Sequence, residues 1–384
     1  MPQTVFRSFQ AQAAALLCLC FLLISTNAQS AEQSKYSQRT RTFHSPEEFR
    51  QITKGKVKIE RGRTIAYRQL YGSDDGIVQK LDNRTTSPYP ANALLPWNEI
   101  TVLADDLPSA ILIGTKKGLI LFNTMTRDVR GYLSGKRWLP DDHVTGIGLE
   151  PPIKSNVIWV ETSKGYSRIE YKEMTLADKS KAFVERVQKR HVRWGMTSDS
   201  HLKVPGDLNS NQMVSSDNDG LWTQMYIAAE AFRYSVTGAP DARANAKVGF
   251  EAMLRLEAIT GIPGFHARSF IKIGEDIQPG DGEWHTTADG KWRWKGDTSS
   301  DEIVGHYFGY AVYYDLVADE AERQKIRGVV TRMTDHILNN DYQLVDVDGK
   351  RTRWGWWGPD AIWEDPDELG LRALHMLAHL RTAH

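Results

Sequence analysis

Cysteine is almost missing from this chain. Only Cys18 and Cys20 occur among 384 residues, and none follows them. Whatever folds beyond residue 20 therefore has no disulfide, no thiolate metal site and no cysteine nucleophile. An excess of one charge is missing too. Lys+Arg and Asp+Glu both number 48, so the formal net charge is zero. Such a chain lacks the bulk basicity behind nonspecific nucleic-acid binding, and no nucleic-acid partner is expected. Beyond the first thirty residues no segment is apolar enough to span a bilayer. Several catalytic signatures are also lacking: Gly-x-Gly-x-x-Gly, a phosphate-cradling Gly-Lys-Ser/Thr loop, a Gly-x-Ser-x-Gly elbow and His-Glu-x-x-His. No cofactor and no metal are expected on these grounds.

What is present begins with an address. Arg7 precedes an apolar run from Ala13 to Ile24, and small residues follow at Thr26 to Ala31. This is the layout of a secretory signal peptide over 1–31, too short for a spanning helix of about 20 apolar residues. It predicts an exported protein, periplasmic or extracellular. Both cysteines lie inside the signal, so core packing alone must hold the exported part together.

The rest divides by period. Residues 32–63 are polar with little periodicity and read as a linker or lead-in. From 64 to 175, short β-type runs alternate with turn signals. Two stretches repeat: Ile111-Leu112-Ile113-Gly114-Thr115-Lys116-Lys117-Gly118-Leu119 and Ile158-Trp159-Val160-Glu161-Thr162-Ser163-Lys164-Gly165-Tyr166. Their spacing of about 47 residues suits a propeller blade, and their glycines suit a tight hairpin. The pattern resembles the blades of the two-component-regulator propeller family. Only two or three blades fit before residue 180, fewer than the four to eight of a closed propeller. A plain β-meander with turn glycines is the alternative.

From 176 to 384 the period is helical. One pair of helices is expected around Leu221–Val236 and Ala242–Ile259, and a second around Ile303–Val317 and Ala321–Leu338, at an offset of about 80 residues. A fifth helix follows Asp365-Pro366-Asp367. Repeated hairpins with long decorated loops suggest an α/α toroid or solenoid. The expected fold class is thus multidomain α+β: incomplete propeller-like blades, then an incomplete α/α toroid, with the chain a fragment or capped by another chain.

The second half resembles six-hairpin glycosidase-like proteins. The carrying stretches are Ser216-Asp217-Asn218-Asp219-Gly220-Leu221-Trp222, Pro263-Gly264-Phe265-His266-Ala267-Arg268, Gly282-Glu283-Trp284-His285 and Lys295-Gly296-Asp297-Thr298-Ser299-Ser300-Asp301-Glu302. The resemblance implies a funnel of acids and aromatics at one end of the helices, and a carbohydrate ligand.

Nine of the 12 tryptophans lie after residue 190, and several fall in the inter-hairpin loops. Indole faces stack on sugar C–H groups, although loop rings also pack loop cores. Trp222, Trp284, Trp294, Trp354, Trp356 and Trp357 are the candidate sugar-binding rings. Asp219, Glu283, Asp297, Asp301 and Glu302 are the candidate catalytic carboxylates, since glycoside hydrolysis needs two carboxyls in different protonation states. Capping of helix N-termini competes for Asp219 and Asp301. An alternative chemistry is elimination from a uronate. His285 would then act as base, with Arg268, His266 and His306 binding substrate. Glu302 and His306 share a helix face and with Asp301 could hold a metal, but such pairs arise often by chance. His375 and His379 read as a packed or partner-facing pair, and Lys179 to Arg193 as a solvated helix face. Three functions compete: a carbohydrate-active hydrolase or lyase, a non-catalytic periplasmic sensor, and an assembly scaffold. The oligomeric state is left open.

Overall fold

The computed structural model describes residues 36–65, 68–81, 85–106, 109–151, 156–359 and 364–384; the expected signal peptide lies outside them. Mixed α and β structure is present, and it segregates. The chain divides into two compact units between Ala182 and Phe183, the first rich in strands and the second in helices.

The first unit opens with β1 (Tyr36–His44), α1 (Pro46–Thr53) and β2 (Ile59–Glu60). Three antiparallel meanders follow: β3 (Thr64–Ile65) to β6 (Thr86–Pro88), β7 (Ile100–Asp105) to β10 (Asp128–Leu133), and β11 (Val144–Leu149) to β13 (Gly165–Met174). The first two form four-stranded sheets. β1 and β2 flank the third meander to make a five-stranded sheet.

One turn recurs in all three. Ser73, Thr115 and Thr162 each donate their hydroxyl to the carbonyl of the glycine three residues on, at 2.8, 2.8 and 2.9 Å. Each hydroxyl also accepts the N–H two residues on. The glycines, Gly76, Gly118 and Gly165, sit at φ 115, 145 and 122, where a side chain is disfavoured. Two of these copies are visible in the sequence. The first, Ser73-Asp74-Asp75-Gly76, is disguised by serine in place of threonine.

Successive sheets meet through glycines. A Cβ on Gly72 would lie 2.5 Å from Cγ2 of Ile100, and one on Gly114 would lie 2.7 Å from Cγ1 of Val144. Ile77, Ile100, Ile111 and Phe122 share a core between the first two sheets, while Leu112, Leu119, Val144 and Val160 share one between the second and third. No closed propeller is formed among the described residues.

The stretch expected to be a lead-in is structured. β1 pairs with β13 from Tyr36↔Met174 to His44↔Tyr166. Its charged residues suit an edge, and they hide it from a search for apolar alternation. Arg41 Nε donates to the Arg137 carbonyl at 2.6 Å. Ser45 and Glu48 form a reciprocal capping box that starts α1.

Helix α2 (Leu176–Arg190) crosses the division between units. The second unit holds two hairpins, α3 (Asp219–Thr237) with α4 (Pro240–Ala258) and α5 (Ser300–Leu316) with α6 (Glu320–Asn339), and then α7 (Leu369–Ala383). Local chemistry sets their ends. Gly238 closes α3 in the left-handed region at φ 65, and Pro240 begins α4. Ser299 caps α5, and Asp319 with Glu322 forms a capping box on α6. Ile227, Phe250, Leu256, Phe265, Tyr310, Tyr313 and Met333 lie in one buried core.

Helices α3 and α5 run in the same direction and touch. Gly220 faces Glu302, Gly305 faces Leu221, and Gly309 faces Gln224. Both hairpins therefore start at one end. The intervening loops carry β14 (Val192–Arg193) with β15 (Met196–Thr197), β16 (Asp199–Leu202) with β17 (Asn211–Val214), a sheet of β18 (Ser269–Lys272), β20 (Trp292–Lys295) and β19 (Trp284–Thr286), and β21 (Gln343–Val345) with β22 (Arg351–Trp356). A closed toroid is not formed by the described residues. No helix among them is long and apolar enough to cross a membrane.

Candidate functional site

The start of α3 and α5 gathers the unit's unusual polar residues, in two layers. The inner layer is sealed. Asp219 is fully buried and accepts from Ser216 N (3.1 Å), Ser216 Oγ (2.8 Å), Ser269 Oγ (2.6 Å) and Arg193 Nη2 (3.3 Å). Burial pushes its carboxyl up to about 6, against the pull of Arg193. Arg193 was expected on a solvated face, but it is buried beside Asp219 and also donates to Ser198, Ser269 and the Phe270 carbonyl.

Glu302 is fully buried as well. One oxygen accepts from Leu221 N at 3.0 Å, and the other lies 3.4 Å from His306 Nε2. Burial raises this carboxyl to about 8. His306 is held down to about 3 by burial, and its Nδ1 lies 3.1 Å from Gln224 Nε2. The His266 ring lies tilted 4.2 Å from that of His306, and its Nε2 lies 3.3 Å from the Tyr310 hydroxyl. Burial lowers His266 well below the ordinary imidazole value. None of these four side chains reaches solvent, so they shape the helix pair from within.

The outer layer is charged and partly open. Arg268 reaches the backbone carbonyls of Asp217 and Asp297 and the Asn218 side chain, tying both hairpin starts together. Asp297 is buried in the left-handed region at φ 53, and accepts from Arg353 N (2.8 Å), Nε (2.7 Å) and Nη2 (2.6 Å). Lys295, almost wholly buried, pairs with the exposed Asp217; this contact holds the Asp217 carboxyl below its usual range. Arg353 feels Glu283 and Asp217 as well as Asp297. Glu283 and Asp301 are exposed, and His285 is half-buried against the Trp294 ring at 4.4 Å. Glu283, His285 and Asp346 each place one donor atom within 4.8 Å of the others.

The tryptophans part company. Trp294, Trp356 and Trp357 are buried, while Trp354 is 54% and Trp222 56% exposed. Trp284 is half-buried, donates to the Gly280 carbonyl and carries Arg293 over its ring at 5.3 Å. Trp356 is clasped by Arg351 and Arg372 at 4.8 and 4.1 Å. Trp222 stands apart, lining a cleft of about 280 Å³ with Val187, His191 and Tyr226. The candidate set is thus split. Glu283, His285, Asp297, Arg268 and Trp284 join one polar cluster, to which Trp294 contributes a buried ring. Asp219, Glu302, His266 and His306 form the sealed layer.

Sequence reasoning missed Asp346, Arg353 and Arg193. Asp346 accepts from Asp297 N at 2.7 Å, across a loop and a hairpin, and no local spacing announces it. His375 and His379 are a packed pair: His379 is buried, stacked 4.2 Å from the Tyr307 ring.

No family model matches this chain, and no curated protein is detectably similar to it.

Proposed function

We propose that this is an exported, carbohydrate-active protein whose helical unit engages a poly- or oligosaccharide beside Glu283, Asp217 and Trp354. The observation that carries the reading is the exposed Trp354 ring on the strand that also carries Arg353, whose guanidinium pairs with Asp297 and feels the charges of Glu283 and Asp217. An exposed indole in a short hairpin suits the apolar face of a sugar, and charged groups beside it suit hydroxyls or uronate carboxylates. The exposed carboxylates Asp217, Glu283 and Asp301 are the groups a substrate can meet. In this reading Glu283 is one of the carboxyls of a hydrolytic step, or His285 the base of an eliminative one, and the resemblance to six-hairpin glycosidase-like proteins supports a sugar as the ligand of the helical unit. The inner layer stays structural.

The test is retention on a panel of neutral and acidic polysaccharides, followed by product analysis. Trp354→Ala is expected to weaken binding ten-fold or more with an unchanged melting temperature. New reducing ends would mark hydrolysis; the ultraviolet band of an unsaturated uronate would mark elimination. Retention on no glycan at all sinks the proposal. A second reading, a non-catalytic sensor, is favoured by the burial of Asp219, Glu302, His266 and His306. It predicts binding without product.

A further inference from the structure

We propose that Glu283, His285 and Asp346 form a binding site for a divalent transition cation of the zinc class. The donor set is one imidazole nitrogen and two carboxylate oxygens, all within 4.8 Å of one another. Zinc binds such donors at about 2.0–2.2 Å, which puts tetrahedral neighbours about 3.3 Å apart. Closing each pair by at most about 1.5 Å completes that geometry, and the exposed Glu283 side chain is free to swing. Calcium and magnesium prefer about six or more oxygens, which this set does not supply.

Two further observations point the same way. His285 Nε2 is sealed from solvent and has no hydrogen-bond partner. Leaving a buried polar atom so is unfavourable, and a bound cation would satisfy it. The space in front of it is kept by a glycine. A Cβ on Gly296 would lie 2.9 Å from His285 Nε2 and 2.5 Å from Asp346 Oδ2, so both donors face the same side-chain-free position.

The ligands are also held from behind. The Glu283 carbonyl accepts from Gly296 N at 2.9 Å, and the His285 ring rests on Trp294. Asp346 is oriented by the N–H groups of Asp297 (2.7 Å) and Val347 (2.6 Å), and its oxygens keep lone pairs for a metal. The cations nearby are engaged elsewhere: Arg353 pairs with Asp297 and Lys295 with Asp217. Three protein ligands leave a fourth position for water or a ligand oxygen; with an ion bound, Glu283 and His285 would serve as its ligands and not as direct acid or base.

The inference rests on the donor geometry, and its test uses no glycan. The full chain, stripped with a chelator, is titrated with Zn²⁺ by calorimetry and with Co²⁺ by visible absorption. About one ion per chain is expected, with d–d bands for Co²⁺. His285→Ala and Glu283→Gln should each weaken binding ten-fold or more, while His375→Ala on α7 should leave it unchanged. Asp346→Asn serves as a third variant; because it also loosens Asp297, the first two decide if it fails to fold. Absence of saturable binding in the native chain overturns the proposal. So does unchanged affinity in both His285→Ala and Glu283→Gln, or loss of binding in His375→Ala.

Discussion

Replacing Gly305 by alanine should destabilise the protein, although glycine-to-alanine in a helix interior ordinarily stabilises by about 0.5–1 kcal/mol. Gly305 is buried in α5 where it crosses α3. A Cβ there would lie 2.8 Å from the Leu221 Cα and 2.6 Å from its Cδ1. Carbon atoms in contact prefer about 3.5–4.0 Å. The Cδ1 can rotate away; the Cα belongs to the backbone of α3 and cannot. The two helices must therefore part by about 1 Å, which forfeits a quarter to a half of each contact across the seam. Overpacking of this kind costs about 1–3 kcal/mol, so after the propensity gain the net loss reaches up to about 2.5 kcal/mol. Gly328 in α6 is the control. Its Cβ would meet only Arg332 Nη1, at 3.2 Å, the mobile tip of a long side chain. Gly328→Ala should raise stability by about 0.5–1 kcal/mol. Both variants are compared with the native chain by urea unfolding followed in far-ultraviolet circular dichroism. Equal stabilisation by the two alanines would refute the close parallel approach of α3 and α5.

Three other perturbations test the inner layer and the sheets. The folded-state carboxyl of Glu302 lies at about 8, above its ordinary value of 4.5, so the folded chain holds this proton more tightly than the unfolded one. Its contribution is therefore present at low pH and lost as pH rises from about 4.5 through about 8; Glu302→Gln should flatten the fall in melting temperature over that window, and an unchanged slope would count against it. Arg193→Ala strands the buried Asp219 carboxyl and should cost about 3–5 kcal/mol near neutral pH, whereas Asp219→Asn should cost less; chemical denaturation at pH 7 gives the order. In the first unit, Thr115→Val keeps the shape but removes the hydroxyl that satisfies two backbone groups of the turn, and should cost about 1–3 kcal/mol; a neutral result would show that water replaces it.

The legible parts of this chain were those written in short-range pattern. The Thr115/Gly118 and Thr162/Gly165 turns and the helix pairs depend on neighbours within a few positions, and the structure carries all of them. β1 was hidden because an edge strand needs backbone pairing and not apolar alternation. The candidate acids were recognised by type and by place near hairpin starts, but their exposure depends on how two helices cross. Asp219 and Glu302 sit where the crossing buries them; Glu283 and Asp301 do not. Asp346 could not be linked to Asp297 from spacing, since a backbone N–H is its partner.

The glycine seam and the buried acid are two halves of one device. A helix N-terminus favours a negative charge, so the Leu221 N–H should hold Glu302 ionised. Burial opposes that more strongly, and the carboxyl is raised to about 8. At neutral pH a protonated Glu302 therefore caps α3 through its carbonyl oxygen, and its hydroxyl is left for His306 Nε2, 3.4 Å away. His306 must then be neutral and accepting at Nε2, which agrees with its lowered value of about 3. Its Nδ1–H would point at Gln224, whose amide should present oxygen and not nitrogen to the ring. All of this requires the helices to be close enough for a side chain of α5 to reach the backbone of α3, and Gly220, Gly305 and Gly309 supply that closeness. The two substitutions should consequently be non-additive. Once Gly305→Ala has parted the helices, water can reach Glu302, its proton affinity falls toward the ordinary range, and Glu302→Gln should no longer change the pH slope. A double-mutant cycle across pH measures this directly, and strict additivity at every pH would separate the seam from the acid.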